Sequence, residues 1–554
     1  MARSWQRVSA AIPATALMLM ALHVGFASGA SAASPVPSIA GSAAPSTGPS
    51  GPDQAPGALQ ALVDAAQPGA VVAIPRGVYR EDVTVNTPLT LLGDGAEIRG
   101  SDIWAEWQAN GRIWRSAAAV PSFTGGGFCR DARCAWPEQV FVDGQPLAQV
   151  AADPTTGQFA IDQDRRVRLA DDPTGRLVEV TVRERWLTVE AADVTVEGLA
   201  MHHAASPAQH GALQALPGAD RLTIRNVQLS DAHGALVSFQ GVAGASLVAS
   251  DLSRGGQLGV HAGGEGTTDL TIEGNRIAGN NTEGFDPAWE AGGLKAALAS
   301  GLRVIDNDVD ANDGPGIWCD IDCHDFTASG NRVSGNTRAG IMFEISDGAS
   351  VEDNIVWENG WGYPTWGWGA GVLISSASNA TVKGNLLAWN ADGISVVSQI
   401  RDRPGGDAVR GVSVVDNTII SDAMGGFMLA WLQDWPGSMY AADSRNAGSG
   451  NRFWNESPEP TDCRFEWSDC LDRLAAFATT PGGSGSEYLS DEAAHVALAE
   501  TDVPAHPIPH PSGEAPRLRT VLLVVGAVGL AALALIVVLV VLYRRRSTST
   551  GGAG

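Results

Sequence analysis

Two acidic residues lie at equivalent positions of successive sequence repeats. Asp320 ends the segment "GIWCD" and Glu344 ends "GIMFE", each four residues after its glycine and 24 residues from the other. If each repeat forms one coil of a stacked sheet, neighbouring strands place the two carboxyl groups ~4.8 Å apart. Carboxyl groups about 5–5.5 Å apart are the pair that retaining cleavage of a glycosidic bond uses. The spacing therefore predicts paired-carboxylate chemistry at these two residues.

Two other interpretations of the pair stay open. The chain has 61 acidic and 36 basic residues and a formal net charge of −25, so the two acids can belong to a solvated acidic face. Paired carboxylates also suit a calcium ion, which prefers oxygen ligands. We expect no cofactor for the bond cleavage itself, with calcium as the open possibility.

The two acids belong to a recurring five-residue strand segment that begins with glycine. Side chains alternate between the two faces of a strand. The first and third positions after glycine are almost all apolar, as in Ile317 and Cys319, and are predicted to point inward. The second positions, predicted to point outward, are Leu236, His261, Lys295, Trp318, Met342, Leu373, Ser395 and Met428. The fourth positions, also outward, are Ser238, Gly263, Ala297, Asp320, Glu344, Ser375, Val397 and Ala430, with acids only at the two neighbouring coils.

Other outward residues are predicted to share a groove with the acid pair. Lys295, one of only two lysines in the chain, lies one coil before Trp318, and His261 lies one coil before the lysine. The insertion that ends at Lys295 supplies Glu290 or Asp286 as an ion-pair partner. The lysine can bind a sugar group, or it can only neutralise the acid pair.

A tryptophan-rich insertion follows the strand of Glu344. The segment "WENGWGYPTWGWGAG" contains Trp357, Trp361, Trp366 and Trp368. Exposed aromatic faces suit the apolar faces of sugar rings, and a small hydrophobic cluster that pins the loop is the alternative. The predicted substrate-binding residues are Lys295, Trp318, His261, Glu290, Trp366 and Trp368.

The elements that position these residues repeat along the chain. A V/I-x-x-N element places asparagines at intervals of about 24 or 32 residues, with Asp251 in one missing turn; they are Asn226, Asn275, Asn307, Asn331, Asn354, Asn385 and Asn417. Short apolar strands separated by Gly and Asn at such a period are typical of a parallel β-solenoid, in which each coil pairs with the next. We therefore predict an all-β chain whose solenoid spans residues 57–455.

Other segments interrupt or flank the solenoid. Residues 101–185 break the repeat and are predicted to form an inserted, mostly antiparallel β subdomain. The amphipathic segment "ALQALVDAA" is predicted to cap the N-terminal end and residues 456–500 the other end. The Pro- and Ser-rich segments 33–56 and 501–518 are predicted to be linkers.

The chain ends predict export and membrane attachment. Residues 1–32 have a basic start, an apolar run and a small-residue cleavage motif, which are typical of a signal peptide. Residues 521–543 form an uncharged apolar run of ~34 Å in helical form, long enough to cross a bilayer. Three arginines follow at once, so residues 544–554 are predicted to be a cytoplasmic tail below an extracellular domain.

The cysteines agree with an exported chain. They form three near pairs, Cys129/Cys134, Cys319/Cys323 and Cys463/Cys470, which predicts local disulfides. A zinc site is the alternative, but it would have to join distant pairs. A bond between Cys319 and Cys323 would fix the turn that follows Asp320, and we predict that it does. The segment with Cys463 and Cys470 is expected to help close the C-terminal end of the solenoid.

Two resemblances to known families follow from these motifs. The segments "GALQALVDAAQPGAVVAIPRGVY" and "LTLLGDGAEIRG" resemble the opening of right-handed parallel β-helix proteins of the pectin-lyase type. The pair "GIWCD" and "GIMFE" is similar to the G-I-W-x-D and F-x-E motifs of β-helix glycoside hydrolases such as β-xylosidases. That resemblance implies that Asp320 is the nucleophile and Glu344 the acid/base.

Three functions remain for comparison. The first is a membrane-anchored extracellular glycoside hydrolase acting on a polysaccharide or oligosaccharide. The second is a lyase or epimerase acting on uronates, with Lys295 or His261 as base. The third is a non-catalytic carbohydrate-binding or adhesive solenoid. The acidic charge excludes a nucleic-acid partner, and we expect a monomer.

Overall fold

The computed structural model of the protein describes residues 51–399, 409–422, 424–433, 438–456 and 463–509. The predicted signal peptide (1–32), the predicted transmembrane helix (521–543) and the predicted cytoplasmic tail (544–554) lie outside these residues. Within the described ranges, no helix is both long and apolar enough to cross a membrane.

Most of the described chain forms a parallel β-helix, and one face of it carries the acid pair. We call this sheet the groove face. Its thirteen strands are Val83–Val85, Leu187–Val189, Gly211–Ala215, Ala235–Gln240, Leu258–Gly263, Gly292–Ala297, Ile317–Asp320, Ile341–Glu344, Ala370–Ser375, Asp392–Ser398, Leu429–Gln433, Phe465–Trp467 and Asp469–Leu471. Consecutive strands pair in parallel, except for the last two, which form an antiparallel hairpin.

The two other faces of the helix belong to one twenty-three-stranded sheet, because the long strands Leu89–Arg99 and Thr195–Ala204 run through both faces. The other strands of this sheet are Ala70–Ile74, Gly77–Tyr79, Thr223–Arg225, Gln228–Ala232, Ser246–Val248, Asp251–Ser253, Thr271–Glu273, Arg276–Ala278, Arg303–Ile305, Asp308–Asp310, His324–Ser329, Arg332–Ser334, Asp347–Glu352, Ile355–Trp357, Ser378–Lys383, Leu386–Ala388, Ser413–Val415, Thr418–Ser421, Ala447–Ser449, Arg452–Asn455 and Glu487–Tyr488. Inward-pointing Val, Ile, Leu and Phe side chains from the three faces form one continuous core.

Two buried asparagine ladders hold the coils in register. The first contains Asn275, Asn307, Asn331, Asn354, Asn385, Asn417 and Asn451, and the second contains Asn280, Asn312, Asn336, Asn359 and Asn390. In each ladder, the backbone N–H of one asparagine donates to the Oδ1 atom of the next, as from Asn307 to Asn331 over 3.0 Å. Because buried turn backbone needs partners, the asparagines stabilise turns that no strand pairing can satisfy.

The start of the first ladder differs from the prediction. Ser250, rather than Asp251, donates its backbone N–H to Asn275 Oδ1, over 3.0 Å. Val227 rather than Asn226 occupies the preceding step, because its N–H donates to Ser250 Oγ. A serine hydroxyl can accept this hydrogen bond as an amide oxygen does, so the ladder does not require asparagine at every coil.

The recurring glycine is explained by its position beside the second ladder. A Cβ atom on Gly316 would lie 2.7 Å from the carbonyl oxygen of Gly340 and 2.9 Å from Asn336 Nδ2. The same conflict recurs one coil later, where a Cβ atom on Gly340 would lie 2.7 Å from Gly371 O. Each glycine therefore lets the chain pass the ladder closely and enter the groove face.

The predicted groove-face register is correct in the central coils and wrong at both ends. Pairing aligns His261, Lys295, Trp318, Met342, Leu373 and Ser395 in one column, and Gly263, Ala297, Asp320, Glu344, Ser375 and Val397 in the other. His261 pairs with Ser238 rather than Leu236, and Ser395 pairs with Ala430 rather than Met428. Both errors are shifts of two residues, which counting from glycine cannot detect because they preserve the alternation of faces.

The N-terminal helix Ala58–Asp64 packs on the first coils, with Leu59 and Val63 buried in the core. The carboxylate of Glu81 accepts hydrogen bonds from the first backbone N–H groups of this helix, those of Leu59 and Gln60, each at 3.1 Å. The solenoid begins earlier than predicted, because Pro52 and Gln54 exchange backbone hydrogen bonds with Val78. The last part of the predicted linker 33–56 is therefore paired with the first coil of the β-helix.

The inserted subdomain consists of two small, mainly antiparallel sheets with their own apolar core. The four-stranded sheet contains Ser101–Ile103, Val140–Val142, Gln145–Pro146 and Val178–Thr181, and the five-stranded sheet contains Trp107–Asn110, Ile113–Ala119, Ala148–Gln149, Gln158–Ile161 and Arg166–Leu169. A short 3₁₀ helix, Ala132–Ala135, lies in a loop closed by the disulfide between Cys129 and Cys134.

The C-terminal segments divide between the end and the side of the solenoid. The terminal hairpin of the groove face pairs with Leu429–Gln433 and, with the helix Leu474–Phe477, covers the last coils. The helix Asp491–Glu500 instead packs on the side, against Trp389 and Trp454. A further 3₁₀ helix, Ala442–Ser444, lies between the last coils.

The third predicted disulfide closes the terminal hairpin, but one of its cysteines lies at the surface. Cys463 and Cys470 are bonded, as their spacing predicts. Cys470 is exposed, in the last strand of the hairpin and opposite Glu466, whereas Cys319 and Cys323 are fully buried. A hairpin at the end of a solenoid has no further coil to cover it, so its outermost strand faces solvent. Cys470 therefore only holds the end cap together and is not part of the groove that contains the acid pair.

Part of the predicted linker 501–518 also packs on the solenoid. Arg332 donates to Thr501 O over 2.9 Å, and Trp389 Nε1 donates to Pro504 O over 2.8 Å. These contacts hold the first residues of that linker against the side of the helix. The side face carries large apolar residues here, among them Trp389 and Trp454, and Val503 of the linker packs on them.

Candidate functional site

Asp320 and Glu344 lie directly opposite each other on the groove face. They end the strands Ile317–Asp320 and Ile341–Glu344, and their Cα atoms are register partners in a parallel ladder. Their side chains point away from the core, yet only 4% of Asp320 and 5% of Glu344 is exposed. Neighbouring strands in a sheet are ~4.8 Å apart, so the two residues lie one strand spacing from each other, as the repeat predicts.

Lys295 forms a buried ion pair with Asp320. Its Nζ atom lies 2.7 Å from Asp320 Oδ2, 3.1 Å from the carbonyl oxygen of Trp289, and 3.2 Å from the centre of a Trp318 ring. A buried charge is costly unless it is paired and hydrogen-bonded, and these contacts supply that compensation. The lysine therefore fixes one oxygen of Asp320 and leaves the other for a further partner.

Three buried polar atoms around this ion pair make no hydrogen bond with the described residues. They are Asp320 Oδ1, Trp318 Nε1 and His261 Nδ1. Buried polar atoms in folded proteins nearly always have partners, so a cluster of exceptions indicates a place where a polar ligand binds. The three atoms offer a carboxylate acceptor, an indole donor and an imidazole nitrogen, which together suit hydroxyl groups.

Glu290 is a third acidic residue at the site. Its Oε1 atom lies 3.9 Å from Lys295 Nζ, and its Oε2 atom accepts a 2.6 Å hydrogen bond from Gln209. Burial raises the pKa of Glu290 above its ordinary value, Asp320 raises it further, and Lys295 and Gln209 oppose the change. Glu290 thus gains a proton more readily than an exposed glutamate does.

His261 lies next to Glu290, with its Nε2 atom 3.6 Å from Glu290 Oε2. Burial lowers the pKa of His261 to about 4, and the positive charge of Lys295 and the neighbouring His210 act in the same direction. The imidazole is therefore neutral at neutral pH and can both donate and accept hydrogen bonds.

The turn after Asp320 is fixed by covalent and hydrogen bonds. The disulfide between Cys319 and Cys323 closes it, as the sequence predicts. Ile321 and Asp322 both have left-handed backbone, with φ of 46° and 58°, a conformation that disfavours a β-branched residue such as isoleucine. The N–H of Ile321 donates to Glu344 O over 3.2 Å, which joins this turn to the next coil.

Ser375 and the tryptophan loop lie on the C-terminal side of Glu344. Ser375 occupies the next position of the outward column, and its Oγ donates to Glu344 Oε1 over 3.3 Å. Trp366 and Trp368 pack with Trp318 and Met342 in one outward apolar cluster. These two tryptophans thus form a wall beside the site. They lie next to Trp318, another predicted substrate-binding residue.

Other predicted residues lie elsewhere. Trp357 is on a side face, where the Arg332 guanidinium stacks on its ring, and Trp361 donates to Trp389 O. Asp286 is in the insertion before Lys295, but among the described residues the lysine pairs with Glu290 and Asp320. Trp357 precedes the turn at Asn359 of the second asparagine ladder, and that turn separates it from the groove face.

The inserted subdomain contributes to the site through its disulfide loop. Cys129 forms an isolated antiparallel bridge with Phe285, and the backbone N–H groups of Arg130 and Asp131 donate to Gly284 O. Phe128, which is 66% exposed, contacts the ring of Trp289 edge-on at 5.1 Å. The subdomain therefore holds the insertion that carries Glu290 and ends at Lys295.

Sequence reasoning missed Gln209, Ser375 and Trp289. Ser375 had a usable signal, since it lies one coil after Glu344 in the same column. Trp289 acts through its backbone carbonyl, to which its side-chain type gives no clue. Gln209 reaches Glu290 from a loop 81 residues earlier in the chain, a contact that only the fold determines.

Calcium binding at the acid pair, which the sequence left open, stays a prediction. Among the described residues, no group of three or more His, Cys, Asp or Glu side chains is arranged to hold a metal ion. The group that the structure places beside Asp320 is the ammonium group of Lys295.

Comparison with known proteins supports the fold. Residues 215–387 match the family described as "Right handed beta helix region", and no curated protein matches the sequence. Similar solved structures include XylC with xylose (15% identity, TM-score 0.45, 72% of this chain and 71% of that chain) and the mannuronan C-5 epimerase AlgE6 A-module of Azotobacter vinelandii (15%, 0.41, 78% and 92%). A structure described as a glycoside hydrolase is also similar (11%, 0.37, 70% and 88%). The family match over residues 215–387, together with the parallel strand pairing of the described residues, identifies the fold as a right-handed parallel β-helix, as the sequence predicts.

Proposed function

We propose that the chain is a carbohydrate-active enzyme, a retaining glycoside hydrolase with Asp320 as nucleophile and Glu344 as acid and base. The observation that carries the proposal is the arrangement around Asp320. Its Oδ2 atom is held by Lys295 at 2.7 Å, its Oδ1 atom has no hydrogen bond within the described part of the chain, and Glu344 lies directly opposite on the next strand. One oriented carboxylate oxygen beside a second carboxyl group is what this reaction needs.

In the first step, Asp320 Oδ1 attacks the anomeric carbon of the bound sugar. The bond between that carbon and the leaving oxygen breaks, and protonated Glu344 gives its proton to the leaving oxygen. The product of this step is a glycosyl ester on Asp320. Lys295 stays on Oδ2 throughout, and the turn closed by Cys319 and Cys323 limits rotation of the nucleophile.

In the second step, Glu344, now a carboxylate, takes a proton from a water molecule. The water oxygen attacks the anomeric carbon, the ester bond to Asp320 breaks, and the sugar leaves with its original configuration. Glu344 is protonated again and Asp320 is again a carboxylate. Two inversions at one carbon give net retention.

Glu290, His261 and Trp318 bind the sugar hydroxyl groups in this proposal. Trp318 Nε1 can donate, neutral His261 can accept or donate, and Glu290 supplies a carboxyl group held by Gln209. Because these groups are already positioned by the fold, little conformational entropy is lost when the sugar binds. They give the site its preference for a ring rich in hydroxyl groups.

The enzyme removes sugars from chain ends. On one side, the loop containing Trp366 and Trp368 covers the coils beyond Glu344, and Leu373 is fully buried beneath it. On the other side, Gln209 closes over Glu290. A site walled on both sides along the helix axis admits one terminal residue more readily than the middle of a polysaccharide.

We also propose that the enzyme works outside the cell, attached to the membrane by residues 521–543. This rests on the apolar run of those residues, the arginines that follow it, and the three disulfides. Membrane fractions washed with alkaline carbonate should retain the full-length chain, and removal of residues 521–554 should release it. Recovery of the full-length chain in the wash would contradict this attachment.

A uronate lyase or epimerase has less support from the same residues. Such an enzyme needs a positive group to neutralise the carboxylate of its substrate and a base to remove a proton. Lys295 already pairs with Asp320, and a histidine with a pKa of about 4 is a weak base at neutral pH. Lys295 balances the charge of Asp320, so this ion pair leaves no net positive charge beside Glu290 and Glu344 for a substrate carboxylate.

The proposal predicts unequal effects of the two acids. In full-length protein, Asp320→Ala should abolish turnover, because the nucleophile is lost. Glu344→Ala should slow cleavage of natural oligosaccharides about 10²–10⁴-fold, and should slow aryl glycosides with good leaving groups much less. Release of terminal sugars from a glycan panel, followed by mass spectrometry and by NMR of the new anomer, measures these outcomes.

The matched control is Glu273→Ala, which removes an exposed acid on a side face and should not change activity. A product with inverted configuration would rule out the proposed nucleophile. Unsaturated products would favour a lyase, and equal residual activity of the two variants on every substrate would favour a binding solenoid.

A further inference from the structure

Arg338 is an arginine at the edge of the site whose charge has no partner in the described part of the protein. It is partly buried just before the strand of Glu344. Among the residues that the structure describes, it is the one partly buried arginine whose guanidinium group makes neither a hydrogen bond nor an ion pair. Burial lowers its pKa from the ordinary value. In a chain with a net charge of −25, an arginine left in this state is unusual.

Asp313, one of the two carboxylates that act on Arg338, is already engaged by other residues. Asp313 receives both terminal nitrogens of Arg130, at 3.2 and 2.6 Å, and the hydroxyl of Thr337 at 3.0 Å. Asp313 and Asp286 act on Arg338 electrostatically, but neither is in ion-pair contact with it. Arg338 therefore keeps its hydrogen-bond donors for another acceptor.

Tyr363 holds the guanidinium group in a fixed plane. The Arg338 guanidinium carbon lies 4.3 Å from the centre of the tyrosine ring, and Tyr363 is 40% exposed. Stacking orients the planar group while its edge donors remain free, and such a fork matches a carboxylate. The pair thus presents a cationic edge beside an exposed aromatic face.

The pair is continuous with the carboxylate site. Ala339, the next residue after Arg338, packs in the same cluster as Trp318 and Met342. Tyr363 belongs to the loop that continues to Trp366, which forms the wall beside Glu344. On the other side, the insertion that carries Asp286 also carries Trp289, whose carbonyl oxygen accepts from Lys295. Arg338 and Tyr363 are thus joined to the site through the apolar cluster that contains Trp318.

We propose that Arg338 and Tyr363 bind the carboxylate of an acidic sugar that neighbours the terminal residue held at Asp320 and Glu344. This deepens the proposed function and rests on it: the residue that is cleaved is neutral, and a sugar further along the glycan is a uronate. The charges divide the two roles, since the ammonium group of Lys295 is taken up by Asp320, whereas Arg338 has no ion pair with any described residue. Tyr363 supplies the stacking face for the same ring.

Binding to matched glycans tests the proposal without requiring turnover. The full-length chain carrying Glu344→Gln is titrated with uronate-containing oligosaccharides and with the same oligosaccharides after reduction of their carboxyl groups. The acidic member of each pair should bind about tenfold more tightly, because hydrogen bonds to a charged group are stronger than neutral ones. Adding Arg338→Gln should reduce this ratio to about one, and Arg338→Lys should restore part of it.

Arg303→Gln is the matched control, because Arg303 is an exposed arginine on a side face, and it should leave the ratio unchanged. Equal binding of acidic and reduced glycans by the parent chain would overturn the proposal. If sulfated neutral glycans bind as much more tightly as the uronate-containing ones do, the assignment of the site to a carboxylate would be overturned. If acidic glycans bind more tightly but the parent chain cleaves no glycan of the panel, the proposed hydrolysis is wrong and the acidic-sugar site stands.

Discussion

At the scale of single residues, the groove face uses buried charge in two different ways. Asp320 is compensated by Lys295, which lies within hydrogen-bonding distance and itself contacts Trp318 and Trp289. Asp392, one of the carboxyl groups outside the site, has no such compensation. Its Oδ1 atom accepts from the N–H of Phe427 at 2.9 Å, while its Oδ2 atom makes no hydrogen bond with the described residues.

Asp392 should make the stability of the protein depend on pH. Burial raises its pKa from 3.8 to about 6. The folded state therefore binds a proton more tightly than the unfolded state, and stability should fall as pH rises from about 4 to above 6. Asp392→Asn cannot ionise, so the variant should gain about 3 kcal/mol relative to the parent between about pH 4 and pH 7. Urea unfolding of both proteins across this range measures the difference.

A change of the exposed acid Glu273 to Gln should leave that pH dependence as it is in the parent chain. If the parent and Asp392→Asn lose stability in parallel as pH rises, the buried carboxyl group is not its source. Because Asp392 lies on the groove face but outside the site, the comparison also separates folding from catalysis.

At the scale of the element, each central coil is defined by two asparagines and one glycine. Asn331 accepts from both the backbone and side chain of Asn307, and donates to Val304 O and Asn354 Oδ1. The side chain of Asn331 therefore satisfies buried groups on both neighbouring coils and joins three coils in all. In the two coils of the acid pair, the groove-face strand begins soon after the second ladder, so the ladders also set where each outward side chain lies.

Asn331→Ala should destabilise the solenoid by about 3–5 kcal/mol, because it leaves the N–H of Asn307 and the carbonyl of Val304 buried without partners. Asn86→Ala, in an exposed turn, should cost less than about 1 kcal/mol. Thermal and urea unfolding followed by circular dichroism compare the two variants. Similar small losses in both would show that ladder hydrogen bonds contribute little beyond strand pairing.

At the scale of the whole molecule, a buried charge network joins the inserted subdomain to the solenoid. Glu179 of the subdomain contacts Arg99 at 2.5 Å and Arg80 at 2.8 Å, and both arginines belong to the first coils. Glu179 and Arg99 are fully buried. The same subdomain carries the disulfide loop that pairs with Phe285, in the insertion that contains Glu290.

Glu179→Ala should destabilise the protein by about 3–5 kcal/mol, because the guanidinium groups of Arg80 and Arg99 lose the buried carboxylate that they share. It should also increase proteolytic cleavage near residues 101 and 185, where the subdomain joins the solenoid. Asp193→Ala is the control: it removes an exposed ion pair with Arg221 and should cost at most about 1 kcal/mol. Equal losses in the two variants would contradict the anchoring role.

The sequence by itself determined the repeat, the parallel β-helix and the pairing of Asp320 with Glu344. These depend on local spacing, because a coil of nearly constant length brings residues 24 positions apart into register. The same reasoning placed Lys295, Trp318 and His261 in one column, and the three cysteine pairs in short loops, since each disulfide closes within seven residues. The predicted register failed at the two ends of the groove face, by two residues each, where Ser238 and Ala430 take the places assigned to Leu236 and Met428.

Only the tertiary structure decided how the site is enclosed. Gln209 reaches Glu290 from another loop, the subdomain loop pairs with Phe285, and Arg130 rather than Arg338 engages Asp313. The exposure of Cys470 is likewise a matter of its place at the end of the stack, which its spacing from Cys463 does not reveal. None of these features follows the repeat, because the conformation of insertions and end segments depends on their tertiary contacts. Periodic backbone pairing is encoded in spacing along the chain, whereas the choice of partner for a buried charge depends on every group that competes for it in three dimensions.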